Sequence, residues 1–179
     1  MSEQYYTLEN SSETTLFAQI LAQVYQQQRV ENKGLVIYLQ GDLGAGKSFF
    51  SRAFIQFFLP QQKVKSPTYT IVESYQTPVG WVHHFDLYRL SDPEELEYLA
   101  IRDLLTPPFV ALVEWPQKGE GVLPKADILI QLQHGNEMDT WQETASFDRR
   151  AMTLSAFSEG GDKILQAVDL KVKRSMSEK

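Results

Sequence analysis

The chain has 179 residues, with 42 % hydrophobic and 22 % charged side chains and a formal net charge of −6. This is globular composition, which excludes a disordered tail protein, a collagen-like rod and a disulfide scaffold. No cysteine is present, so a disulfide, a thiolate metal site and a cysteine nucleophile are all excluded. The acidic balance argues against a duplex-binding surface, which would need concentrated Lys and Arg.

The apolar runs Leu35 to Leu39 and Phe109 to Val113 fall far short of the ~20 residues of a membrane span. MSEQYYTLEN has no basic n-region and no apolar h-region, so it does not read as a signal peptide. The expectation is a cytoplasmic protein with one domain over 1–170 and a frayed basic tail over 171–179.

In chain order, Asn10-Ser11-Ser12-Glu13 signals a helix start. Leu16, Phe17, Ile20, Leu21 and Val24 continue it at helical spacing, and it fades near Gln26 to Gln28. Gly34 introduces LVIYLQ, a nearly continuous apolar run that suits a strand covered on both faces. Residues 47–60 read KSFFSRAFIQFFLP, an amphipathic helix with Phe50, Phe54, Phe57 and Phe58 on one face and Pro60 as its stop. SPTYTIVESYQ predicts a loop leading into a strand over 70–75, and WVHHF predicts a second strand ending at Asp86. Asp92, Pro93 and Glu95 mark a helix start, with the helix running to Leu105 before Thr106-Pro107-Pro108 breaks it. FVALV is another buried strand, ending at Glu114. Strands over 126–133 and 151–157 and a short helix over 162–168 complete the reading, with a polar loop between His134 and Asp148. The pattern predicts an α/β fold, and the segment GDLGAGKS at 41–48 makes it one of the P-loop NTPase-like type. Its central sheet is mainly parallel and flanked by helices, with antiparallel strands toward the C-terminus.

Residues 41–48, GDLGAGKS, fit the phosphate-binding pattern G-x-x-x-x-G-K-[ST]. The segment lies directly after an apolar strand and directly before an amphipathic helix, as the chemistry requires. Small residues at Gly41, Gly44, Ala45 and Gly46 let backbone N–H groups curl inward and join the helix N-terminus as an anion cradle. Lys47 is the point charge for β- and γ-phosphates, and Ser48 offers a hydroxyl to Mg²⁺. Such a site also needs a carboxylate at a neighbouring strand end. Glu114 is favoured as the metal residue, directly or through water, and Asp86 as the group that orients or deprotonates an attacking water. Thr68, in Ser66-Pro67-Thr68, stands where γ-phosphate-sensing loops occur, although from the residues alone a plain proline turn starting a strand is the favoured reading. His83 and His84 are adjacent on a strand, hence on opposite faces, and are not a metal pair. Trp115 is either core or an aromatic wall of the site.

GDLGAGKS, SPTYTIVESY, HFDLYRLSDPEELEYLAIRD and LVEWPQKGEGVLP occur in an order and spacing similar to the TsaE (YjeE) family of bacterial P-loop ATPases. The resemblance covers residues 10–133 well and the rest weakly. It implies a role in making N6-threonylcarbamoyladenosine (t6A) at position 37 of tRNAs that read codons beginning with A. It implies ATP/ADP and Mg²⁺ as ligands, TsaD and TsaB as partners, and weak, partner-dependent ATP hydrolysis that resets their complex. By motif, the resemblance puts Leu43, Gly44, Ala45, Gly46, Lys47 and Ser48 around the phosphates, Glu114 on Mg²⁺, Asp86 in hydrolysis, Thr68 in the switch loop and Trp115 beside the site. Ser12 and Arg149 are the nearest counterparts of two further nucleotide contacts. Two departures stand out: Phe49, where the family often has Thr, and a loop over 134–148 that is longer than usual.

Two other classes compete. A small P-loop kinase needs an Arg-bearing lid, and only Arg89 and Arg102 lie between the switch loop and Glu114. A GTPase-like switch needs N-K-x-D, whereas Asn32-Lys33 continues as Gly34-Leu35. The net charge fits a protein that meets tRNA through its partners rather than alone.

Overall fold

The computed structural model describes residues 2–28, 33–135 and 148–177. The elements run β1 (Glu3–Leu8), α1 (Ser11–Gln28), β2 (Gly34–Gln40), α2 (Lys47–Phe58), β3 (Val72–Thr77), β4 (Gly80–Asp86), α3 (Glu95–Tyr98), α4 (Ile101–Leu104), β5 (Phe109–Glu114), β6 (Ile128–His134), β7 (Arg150–Ala156) and α5 (Glu159–Ser177). The strands form one sheet in the order β1-β7-β6-β2-β5-β4-β3. The four central strands, β6, β2, β5 and β4, are parallel. β7 and β1 add antiparallel on one side and β3 adds antiparallel on the other.

The continuous apolar runs have a direct structural cause. Leu35, Ile37 and Leu39 of β2 pack in a core with Phe17 and Leu21 of α1, Phe50 and Phe54 of α2, and Leu165 and Val168 of α5. Val36 of β2 and Ala111 and Val113 of β5 point the other way, into a smaller core with Leu96 and Ile101. Both faces of the central strands are covered, so alternation disappears from their sequence. α1 is capped where the sequence signalled it: Glu13 N–H donates to Asn10 Oδ1 at 3.0 Å, and Glu9 N–H donates to Glu13 Oε2 at 2.9 Å.

Several predicted elements differ. β1 was not foreseen; it is an edge strand in which only Leu8 is fully buried. The helix expected from Asp92 to Leu105 is two short helices, α3 and α4, separated by Ala100 in the left-handed region at φ 52°. The break lets Leu96 and Ile101 both enter the smaller core, whereas a continuous helix would set them about 140° apart. The short helix over 162–168 is the middle of α5, and the tail over 171–179 is not frayed along most of its length, because α5 reaches Ser177. The physical reason is that Val172 is buried and Lys171 Nζ donates to Gln23 Oε1 of α1 at 2.9 Å. Most of the loop between His134 and Asp148 lies outside the described residues. No helix among the described residues is long and apolar enough to cross a membrane.

Candidate functional site

The carboxyl ends of the parallel strands gather the candidate residues, as open α/β sheets dictate. The turn after β2 is the glycine-rich loop. At Gly41, φ is 148°, and a Cβ there would lie 2.2 Å from the Leu132 carbonyl oxygen of β6, so no larger residue fits. Gly46, at φ 104°, is the residue from which α2 starts, and its carbonyl accepts the Phe50 N–H at 2.9 Å. Lys47, the first residue of α2, is buried, and its ammonium donates to the carbonyls of Gly41 at 2.6 Å and Asp42 at 2.8 Å. The same ammonium lies 4.2 Å from the centre of the Trp115 ring, a cation–π contact. Burial pushes the Lys47 amine below its ordinary pKa, and Glu114, Asp86 and Asp42 pull it partly back.

Asp86 and Glu114 are register partners at the ends of parallel β4 and β5, so their side chains share one face of the sheet. Both are almost fully buried. Ser48 Oγ donates to Glu114 Oε2 at 2.9 Å. The hydroxyls of Ser66 and Thr68 donate to Asp86 Oδ2 at 3.1 and 3.0 Å, and the Tyr88 N–H donates to Asp86 Oδ1 at 3.1 Å. These residues line a cleft of about 370 Å³ together with Leu43, Gly44, Gly46, Arg89 and Trp115.

The structure therefore brings Leu43, Gly44, Gly46, Lys47, Ser48, Thr68, Asp86, Glu114 and Trp115 to one cleft. Ala45 is buried beneath the loop, its N–H bonded to the Asp42 carbonyl at 3.1 Å. Ser12 and Arg149 are not among the residues lining the cleft. Ser12 is exposed in the first turn of α1, and Arg149 pairs with Glu9 at 3.4 Å. The arginine against the glycine-rich loop is Arg150, whose Nε donates to the Ala45 carbonyl at 3.1 Å. Nothing local in the sequence points to it, because its place depends on the register of β7 against β6.

Ser66, Tyr88, Arg89 and His84 were not singled out as site residues from sequence. His84 is two positions before Asp86 on a strand, so period-two alternation puts it on the same face, and this was a readable signal. The two histidines do face opposite ways: His83 Nδ1 lies 2.8 Å from Ser74 Oγ, and His84 Nε2 lies 2.6 Å from Glu114 Oε1. Among the described residues, no group of three His, Cys, Asp or Glu side chains could hold a metal by itself. A serine hydroxyl beside a carboxylate is nevertheless a fitting oxygen set for Mg²⁺, which takes few protein ligands and completes its shell with phosphate and water.

Comparison with known proteins identifies the family and supports the fold. The family model for "Threonylcarbamoyl adenosine biosynthesis protein TsaE" matches residues 8–144. The chain is 42 % identical over 142 residues to the tRNA threonylcarbamoyladenosine biosynthesis protein TsaE of Haemophilus influenzae, across 79 % of this chain and 87 % of that protein. The protein of the same name from Bacillus subtilis is 36 % identical over 104 residues, across 58 % of this chain and 65 % of its own. The fold matches the crystal structure of YdiB from Bacillus subtilis with a TM-score of 0.71, covering 95 % of this chain and 96 % of that one at 23 % identity. The chain belongs to the TsaE family, whose role is in threonylcarbamoyladenosine biosynthesis on tRNA.

Proposed function

We propose that this chain binds and hydrolyses ATP in t6A synthesis at position 37 of tRNAs reading codons beginning with A. In this reading it works in the cytoplasm with TsaD and TsaB, and hydrolysis resets their complex between turnovers. One observation carries the reading: Lys47, Ser48, Thr68, Asp86 and Glu114, from four separate chain segments, line a single cleft at the phosphate-loop end of the sheet.

The roles follow from chemistry. Backbone N–H groups of Gly44, Gly46, Lys47 and Ser48, with the N-terminus of α2, would donate to phosphate oxygens. Lys47 exchanges its backbone carbonyl partners for β- and γ-phosphate oxygens. Ser48 and Glu114 would hold Mg²⁺, which neutralises phosphate charge when bound. Asp86 orients or deprotonates the attacking water. As the new phosphorus–oxygen bond forms, the bridging oxygen leaves with its electron pair on ADP, and the water's proton ends on Asp86 or on the released phosphate. Thr68 links Asp86 to the loop that precedes β3. Among the described residues, the cationic side chains lining the cleft are Lys47 and Arg89, which does not favour the Arg-rich lid of a kinase.

The deciding experiment measures ATP hydrolysis by the pure protein, with and without TsaB and TsaD, and again with Lys47→Ala. Stimulation by the partners and loss of turnover in the variant are expected. Unstimulated turnover, or turnover unchanged by Lys47→Ala, overturns the reading. Transfer of the γ-phosphate to a small molecule would establish a kinase instead.

A further inference from the structure

His84 is a buried titratable side chain with no role in the reading above. It lies in β4, wholly buried, and its ring makes one hydrogen bond among the described residues, from Nε2 to Glu114 Oε1 at 2.6 Å. Its Nδ1 is buried with no partner. An ionised carboxylate can only accept, so the imidazole hydrogen resides on Nε2, where it donates to Glu114. A hydrogen on Nδ1 would be a buried donor with nothing to bond, which is costly.

Glu114 is thereby gripped at both oxygens by different elements. Oε1 is held by the ring from β4, and Oε2 accepts from Ser48 at the start of α2. A histidine serving only to fill the core would be better replaced by an apolar side chain, since its second nitrogen is left unsatisfied. The short bond to the one carboxylate facing Ser48 is what distinguishes this position.

We propose that His84 is a positioning residue that holds Glu114 Oε1, fixing the carboxylate plane so that Oε2 stays directed at Ser48 for a divalent cation. The assignment rests on reading Glu114 and Ser48 as the Mg²⁺ pair. Partners of this kind, one bond behind a metal ligand, commonly change metal affinity by about 10- to 100-fold when removed.

The test uses the full chain and ADP binding measured by calorimetry, titrated with Mg²⁺ and repeated in chelator. His84→Phe keeps the bulk and removes the donor; His84→Gln returns an N–H near the Nε2 position. His84→Phe is expected to raise the Mg²⁺ concentration for half-maximal tightening by roughly 10- to 100-fold, with metal-free ADP affinity unchanged within about twofold. His84→Gln is expected to restore most of the loss. In a Glu114→Ala background, His84→Phe should add nothing further. A wild-type Mg²⁺ midpoint in His84→Phe, or a shift that persists without Glu114, overturns the assignment. Should the Phe variant fail to fold, His84→Asn, whose amide stops short of Glu114, is compared with His84→Gln; equal midpoints overturn it. If the wild-type chain binds no ADP, the nucleotide reading itself falls. If it binds Mg·ADP normally, only the role of His84 is at stake.

Discussion

Thr68 Oγ1 donates to Asp86 Oδ2 at 3.0 Å, which ties the segment after α2 to the end of β4. The tie is reinforced around it. Ser66 Oγ reaches the same oxygen and lies 2.8 Å from Thr68 Oγ1. The loop closes as Ile71 N–H donates to the Pro67 carbonyl at 2.7 Å and the Ile71 carbonyl accepts the Asp86 N–H at 2.9 Å. Ile71 adopts φ 66° to do so, a costly conformation for a β-branched residue.

If Asp86 acts on water and Thr68 orients Asp86, their variants should separate chemistry from binding. Asp86→Asn is expected to lower kcat for ATP hydrolysis by roughly 10²- to 10⁴-fold, the range for losing a general base. Thr68→Ala should lower it by about tenfold or more, with Thr68→Ser close to wild type because the hydroxyl is kept. Nucleotide affinity should change by no more than about threefold in all three. Partner-stimulated turnover and ADP calorimetry check this; a Thr68→Ala enzyme with full kcat removes Thr68 from the mechanism.

How much of this was legible in the sequence depends on how local each feature is. The phosphate loop is contiguous, and its glycines announce the backbone they permit. Asp86 and Glu114 end apolar strands and could be placed at one sheet edge without coordinates, although their exact pairing could not. Arg150 and His84 act through neighbours distant in sequence, at Ala45 and Glu114. β1 escaped because an edge strand with one solvated face carries little apolar pattern, as Glu3, Tyr5 and Thr7 are all exposed. The α3–α4 break escaped because Ala100 bears none of the marks of a left-handed residue.

Acidification should cost stability partly through His83. Burial holds its imidazole below the ordinary value of 6.5, with the nearby Leu104 backbone pulling partly the other way. In the window between the folded and unfolded values the unfolded chain binds a proton that the folded chain does not. Stability therefore falls as pH drops through that window and is level above it. The ring packs among Trp81, Phe85 and Phe109, and Ser74 is exposed and can bond water instead. His83→Phe should fold and should lose less stability than wild type on going from about one unit above to about one unit below 6.5. Urea midpoints at the two pH values measure this, and equal losses would exclude His83 as a contributor.

Ala100 offers a test of backbone strain away from the cleft. Its φ of 52° costs an L-residue roughly 1–2 kcal/mol, a cost glycine does not bear. Glycine in turn gives the unfolded chain extra freedom worth about 0.4–1 kcal/mol. Ala100→Gly should therefore stabilise by about 0.5 kcal/mol, whereas Ala100→Val should destabilise by more than about 1 kcal/mol. Denaturant titration of the three proteins decides it. A loss of stability on Ala100→Gly would mean that this residue is not strained in solution.

The end of the chain gives the most direct contrast between composition and packing. Lys171 to Lys179 reads as a solvated basic tail, yet α5 continues to Ser177. Ile164, Leu165, Val168 and Val172 form one buried stripe at helical spacing, shared with α1. Asp169 accepts from Tyr6 Oη of β1 at 3.0 Å and from Lys173 Nζ at 2.6 Å. Ending the chain at Leu170 removes buried Val172, the Lys171–Gln23 bond and the Lys173 partner of Asp169. Burial of one valine is worth about 1.5–3 kcal/mol, and the exposed ion pair adds little. The truncated protein should lose about 2 kcal/mol and melt roughly 4–8 °C lower, at the size-dependent rate for a domain of this length. The cut leaves every residue lining the cleft in place, so ADP affinity should be unchanged at temperatures where the truncated chain is folded. Thermal melts of the two lengths test the packing of α5, and an unchanged Tm would show that the helix beyond Leu170 contributes nothing to the fold.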